Sequence, residues 1–79
     1  MTNKSDKLIV AEIMQIQVNG EFVELAEEVT LMDLVNKLAL EGKRYALEVN
    51  EDIISRSEHQ NYRLNEGDQV EIVQAIGGG

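Results

Sequence analysis

Met14, Ile16 and Val18 alternate with Gln15, Gln17 and Asn19, the period of two that a half-buried strand imposes. Asn19-Gly20 follows, a pair that accepts the positive φ angles of a tight type I′ turn, and Glu21 to Leu25 continues as the return strand of a hairpin. The period then changes. Leu31, Leu34, Val35 and Leu38 fall at i, i+3, i+4 and i+7, an apolar stripe that predicts a helix. Thr30 is its expected N-cap, and Asp33 supplies a short-armed capping box. Gly42 is the expected left-handed terminator, with Lys43 and Arg44 beside it complementing the negative end of the helix dipole. Tyr45, Leu47 and Val49 return to alternation and predict a third strand. Residues 50–63 are polar and irregular, interrupted by Ile53-Ile54, which suits a short edge strand. Leu64 to Asp68 reads as a turn, and Gln69 to Val73 as the last strand, with Val70 and Ile72 facing one way.

The order is strand, strand, helix, strand, short strand, strand. That is an α+β arrangement in which one main helix packs on one face of a mixed four- to five-stranded sheet, the order and size of a ubiquitin-like β-grasp. The first and last strands, richest in β-branched residues, are expected at the sheet centre. Three segments are expected: residues 1–13 as an N-terminal extension, frayed or contributing an extra strand; 14–76 as the folded domain; and 77–79 as a Gly-Gly-Gly tail.

Composition removes most chemistry. The chain has 79 residues, no Cys and one His, His59, so disulfides, thiolate nucleophiles and multi-histidine metal sites have no ligands to use. Fifteen Asp and Glu against seven Lys and Arg give a net charge of −8, which disfavours nucleic acid and anionic membranes as partners. Residues 1–13 sum to zero, so the whole excess belongs to residues 14–79. The longest apolar run, Leu8 to Ala11, is far short of the ~20 residues of a spanning helix, and a cytoplasmic location is the default expectation. No phosphate-binding loop is present, and no Ser stands in an Asp-Ser context suited to a carrier prosthetic group. The acidic neighbours Glu27-Glu28 and Glu51-Asp52 read as solvated surface.

What remains is Gly77-Gly78-Gly79. Three glycines lose more backbone entropy on ordering than any other residues, so they do nothing for stability. They do make a thin strand able to enter a narrow channel in another protein with the Gly79 carboxylate leading. Once converted to an acyl-adenylate, such a carboxyl can be attacked by sulfur or an amine, and the chain is then substrate rather than catalyst. A flexible linker remnant is the alternative reading of the same three residues.

Met14 to Gly79 resembles the thiamin-biosynthesis sulfur carrier (ThiS) family of β-grasp proteins. The resemblance is carried by Met14-Gln15-Ile16-Gln17-Val18-Asn19-Gly20, by the Thr30-Leu31-x-x-Leu34-Val35 helix start, by Val49 to Ile54, and by Leu64-x-x-Gly67-Asp68-x-Val70-Glu71-Ile72 running to Gly78-Gly79. It implies that Gly79 carries first an acyl-adenylate and then a thiocarboxylate, with Gly78 threading the channel beside it. It implies an E1-like adenylyltransferase (ThiF-like) that uses ATP, a sulfur source such as a cysteine desulfurase, and a thiazole synthase (ThiG-like) that receives the sulfur. The chain itself would bind no cofactor and no metal, and would be a co-substrate rather than an enzyme. Ser55 stands where family members often have Pro before the Arg matching Arg56.

Three other readings share parts of this pattern. The small subunit of molybdopterin synthase has the same thiocarboxylate logic but usually carries prolines near the final strand, and this chain has none. A protein modifier conjugated to lysine and a β-grasp interaction module without tail chemistry are the others. Beside the tail, Gly77, Ile76 and Val73 form a candidate partner-binding patch, and Arg56 a candidate ionic contact. Ordinary core for Val73 and a solvated loop position for Arg56 are the simpler alternatives.

Overall fold

A computed structural model describes residues 12–74. Strands β1 (Ile13–Val18) and β2 (Glu21–Ala26) form the expected antiparallel hairpin, with Asn19 and Gly20 at φ 52° and 85°. Helix α1 (Leu31–Lys37) follows, then β3 (Tyr45–Val49), the two-residue β4 (Asp52–Ile53), a 3-10 turn at Arg56–Glu58 and β5 (Gln69–Gln74). The sheet order is β2-β1-β5-β3-β4, and β5 runs parallel to β1 and antiparallel to β3. The fold is therefore α+β with a five-stranded mixed sheet, and β5 occupies its centre with β1 beside it, as the β-branched content predicted.

One sheet face is apolar. Met14, Ile16 and Leu25 of the hairpin, Leu47 and Val49 of β3 and Val70 of β5 are buried with Leu31, Leu34 and Val35 of the helix. Leu40 and Leu64 complete this core from the connecting segments. Glu24, Glu71 and Phe22 belong to the opposite parity and are exposed, which is how a half-buried sheet keeps one face wet.

The helix start follows the sequence closely. Thr30 Oγ1 accepts from Asp33 N at 3.2 Å, and Asp33 Oδ2 accepts from Thr30 N at 2.9 Å, so both halves of the capping box form. Two further N–H groups of the first turn are satisfied from a distant segment: Leu31 N donates to the Tyr62 carbonyl and Met32 N to that of His59. Thr30→Ala removes the cap acceptor and is expected to cost about 1 kcal/mol. A urea titration checks this by a lowered midpoint at unchanged slope, with Thr30→Ser retaining most of the stability.

The helix end differs from expectation. The helix stops at Lys37, and Ala39, at φ 58°, is the left-handed residue that reverses the chain. Gly42 lies in the next turn, at φ 78°, so Lys43 and Arg44 are not in the last helical turn; Lys37 holds that place. Leu38, the predicted fourth member of the apolar stripe, is partly exposed, and Leu40 takes its position in the core instead. Leu40 N donates to the Val35 carbonyl across this reversal, which folds its side chain inward.

Candidate functional site

The central strand determines where the tail leaves the fold. β5 is held on both sides, by β1 through Gln17–Gln69 and Val18–Val70 and by β3 through five pairs ending at Tyr45–Gln74. Asn19 adds a second tie: its side chain accepts from Ile72 N at 2.7 Å and donates to the Ile72 carbonyl at 3.3 Å. The hairpin-turn residue thus also buttons the turn to β5 three residues before Ala75. At the other end of β5, buried Asp68 accepts from Asn65 N at 2.8 Å and from Asn50 Nδ2 at 3.0 Å, while Asn50 Oδ1 accepts from Gln69 N. Those bonds fix the register in which β5 enters the sheet, and so the point at which it exits.

Val73 lies on the polar face, 63% exposed and opposite Ala46, so it is not a core residue. Arg56 approaches the same end of the sheet from the other side. Its guanidinium carbon sits 4.1 Å from the Tyr45 ring centroid, and Nη2 donates to the Lys43 carbonyl at 3.0 Å. Tyr45 is the residue paired with Gln74, so Arg56 braces the strand beside the exit of β5. Ile76, Gly77, Gly78 and Gly79, the other residues singled out from the sequence, lie outside the described residues.

Beneath Tyr45 is a residue that the sequence reading used only to exclude metal sites. His59 is 1% exposed and stacked on the tyrosine, with ring centroids 6.0 Å apart. Its Nε2 faces the Ile54 carbonyl at 3.1 Å, which can only accept, and Nδ1 then accepts from Tyr45 Oη at 3.4 Å. This cluster of His59, Tyr45 and Arg56 anchors the 54–64 segment whose carbonyls cap the helix. Nearby, burial and then the carboxylates of Asp68 and Asp52 push the Tyr62 phenol above its ordinary value, keeping it neutral.

Among the described residues there is no group of three or more His, Cys, Asp or Glu able to hold a metal ion, and no helix is long and apolar enough to cross a membrane. No buried polar side-chain atom among them lacks a hydrogen-bond partner.

A profile of the ThiS family matches residues 8–79. The chain belongs to the ThiS family. The match begins six residues ahead of Met14, where the sequence alone placed the family pattern's start, and it spans the terminal glycines. The sulfur carrier protein ThiS of Bacillus subtilis is 34% identical over 65 residues, covering 81% of this chain and 98% of that protein. A crystal structure of a thiamine biosynthesis protein (ThiS) from Geobacter metallireducens superposes with a TM-score of 0.71 at 26% identity, over 84% of this chain and all of that one. The β-grasp architecture expected from the element order is thereby established. A thiazole synthase of Paramagnetospirillum magneticum is 33% identical over 66 residues, and this chain spans only 20% of that protein's length. As a ThiS-family chain, the protein is a sulfur carrier of thiamin biosynthesis, not an enzyme.

Proposed function

We infer that the Gly79 carboxylate is the group that carries the sulfur. One observation bears most of the weight: the family match runs through residue 79, at the end of the stretch that follows the central strand of the sheet. A carrier must present its reacting end at a reproducible distance from its docking surface, and a central strand tied to both neighbours supplies that. Gly78 and Gly77 pass the channel of the activating enzyme because they have no side chains to obstruct it.

The chemistry balances without any group on this chain beyond the carboxylate. A carboxylate oxygen attacks the α-phosphorus of ATP, pyrophosphate leaves, and a mixed anhydride with AMP results. A sulfur nucleophile at the oxidation level of hydrosulfide then attacks the acyl carbon and AMP departs with the oxygen, leaving a thiocarboxylate. The activating enzyme is of the E1-like, ThiF-like class; a donor such as a cysteine desulfurase supplies the sulfur as a persulfide, and a thiol reductant, itself oxidised to a disulfide, brings it to the hydrosulfide level before the attack. The acceptor is a thiazole synthase of the ThiG-like class. A relative named thiazole synthase that contains a segment similar to this chain supports that pairing, since a fused carrier would find its acceptor without diffusion. Val73 is suited to contact the activating enzyme, because it is an exposed apolar side chain one residue before the end of β5 and four before Gly77 in the sequence.

Incubation of the protein with an activating enzyme, ATP and a sulfur source tests this. Intact-mass and fragment-ion spectra are expected to show one oxygen exchanged for sulfur, located at Gly79. Modification at any lysine, or a loaded chain whose sulfur maps elsewhere, would overturn the assignment.

A further inference from the structure

The two edges of the sheet are finished differently. β4 closes one side with only two residues, Asp52–Ile53, and gives way at once to the 3-10 turn, the kind of short edge strand that discourages unwanted pairing. β2 closes the other side with six residues, Glu21–Ala26, and pairs one-to-one with β1 along its whole length, without a bulge. It contains no proline, lysine or arginine, the residues that commonly blunt an edge. The hairpin register says which of its backbone groups remain free. A two-residue turn makes Val18 and Glu21 a hydrogen-bonded pair, and bonded pairs alternate along the ladder, so Ile16–Val23 and Met14–Leu25 are bonded as well. Glu27 N donates to the Glu12 carbonyl at 3.1 Å, which continues that series and fixes its phase. The N–H and C=O groups of Phe22, Glu24 and Ala26 therefore point away from β1, and among the described residues no strand lies beyond β2 to pair with them.

Charge selects what can pair there. Glu21 and Glu24 are exposed on this strand, Glu27 and Glu28 follow it, and no Lys or Arg occurs in the sequence between Lys7 and Lys37. Arg63 lines a surface cleft with Glu27 and Glu28 past the strand's end, so it bears on that pair rather than on Glu21 and Glu24. On the wet face of the sheet, Phe22 is 66% exposed and stands two residues from Glu24. A second copy of β2 would bring its own glutamates to the same edge, and like charges across a strand pair are destabilising. A strand bearing Lys or Arg meets the opposite charge instead.

We propose that the outer edge of β2 docks an extended, basic segment of a partner protein, which adds a sixth strand to the sheet. Main-chain bonds to Phe22, Glu24 and Ala26 supply the register, a Lys or Arg set against Glu24 supplies the charge preference, and an apolar side chain beside Phe22 completes the contact. β1 separates this edge from β5 in the sheet order, so a partner held on β2 and one engaged at the Gln74 end of β5 use different parts of the sheet. This inference makes no use of the sulfur chemistry and stands or falls apart from it.

A capped hexapeptide of alternating lysine and valine, titrated into isotope-labelled full-length protein, tests this by NMR. Amide hydrogen exchange at Phe22, Glu24 and Ala26 is expected to be fast in the protein alone and to slow by about tenfold or more as the peptide binds. The same peptide with every amide N-methylated, and one of alternating glutamate and valine, should each leave those three amides fast. Glu24→Pro removes an outward N–H without taking a bond from β1 and should weaken binding, with Ile16 and Val70 resonances in place to show an intact fold. Glu24→Gln keeps that N–H and should bind with a smaller dependence on salt than the original. Amides that stay fast throughout the lysine–valine titration overturn the proposal, as does equal protection by the N-methylated or the acidic peptide. So does slow exchange at these positions in the protein alone: if it grows with concentration a second copy fills the edge, and if it does not, another segment of this chain does.

Discussion

A chain lengthened by one alanine after Gly79 is expected to take up no sulfur, although it folds as well as the original. The added residue converts the Gly79 carboxylate into an amide, which offers no oxygen anion to attack ATP, and places a methyl-bearing residue at the leading end. Deletion of Gly79 is expected to fail for a different reason. A carboxylate remains, on Gly78, but it stops about 3.5 Å short of its former reach. Misplacement on that scale costs on the order of 100-fold in rate when reacting atoms must meet in a fixed geometry. Intact-mass spectrometry after incubation with activating enzyme, ATP and a sulfur source gives the loaded fraction, and urea midpoints show whether the fold is unchanged. Loading of the lengthened chain at the normal rate would remove the Gly79 carboxylate from the mechanism. Normal loading of the shortened chain would leave the chemistry in place and dispose of the reach argument.

The contrast between these two variants rests on how firmly the base of the tail is held, and much of that was legible in the sequence. Asn19-Gly20 signals a turn because both residues tolerate positive φ, and they adopt 52° and 85°. Thr30 with Asp33 signals a helix start through hydrogen bonds that span only three residues, and both bonds form. Each of these is a local device, so the local sequence suffices.

What was not legible depends on contacts between segments far apart in the chain. Ala39 is a good helix former, and nothing local marks it as the residue that turns left-handed; the requirement that Leu40 reach the core decides it. The period-based stripe therefore runs one residue too far, to Leu38. Asn19 is likewise read as a turn residue, but its bonds to Ile72 lie 53 positions away. His59 stands in a polar, aperiodic stretch and becomes buried only because Tyr45 and the Ile54 carbonyl close over it. Arg56 was read as a solvated loop residue or a partner contact. Its engagement with Tyr45 and the Lys43 carbonyl is a tertiary arrangement, without any signal of its own in the sequence.

Leu34→Ala should be among the most damaging single substitutions in the folded domain, at about 2–5 kcal/mol. Leu34 has no exposed surface and lies on the helix face that meets the sheet, between buried Leu31 and Val35. The helix has only two turns and is too short to be stable by itself, so its packing against the sheet must supply its stability. Truncation there leaves a cavity that the surroundings cannot readily fill, because Leu31 and Leu40 on the same layer are already pinned by the 54–64 segment and by the reversal at Ala39. A domain of this size has a stability of roughly 3–9 kcal/mol, so the loss is a large fraction of the whole. Phe22→Ala deletes more atoms but from an exposed position on β2, and is expected to change stability by less than about 0.5 kcal/mol. Urea titrations of the two variants separate these outcomes. If Phe22→Ala proved as costly as Leu34→Ala, the polar sheet face would be carrying a share of the folding energy that the placement of the core on the helix side assigns to Leu34 and its neighbours.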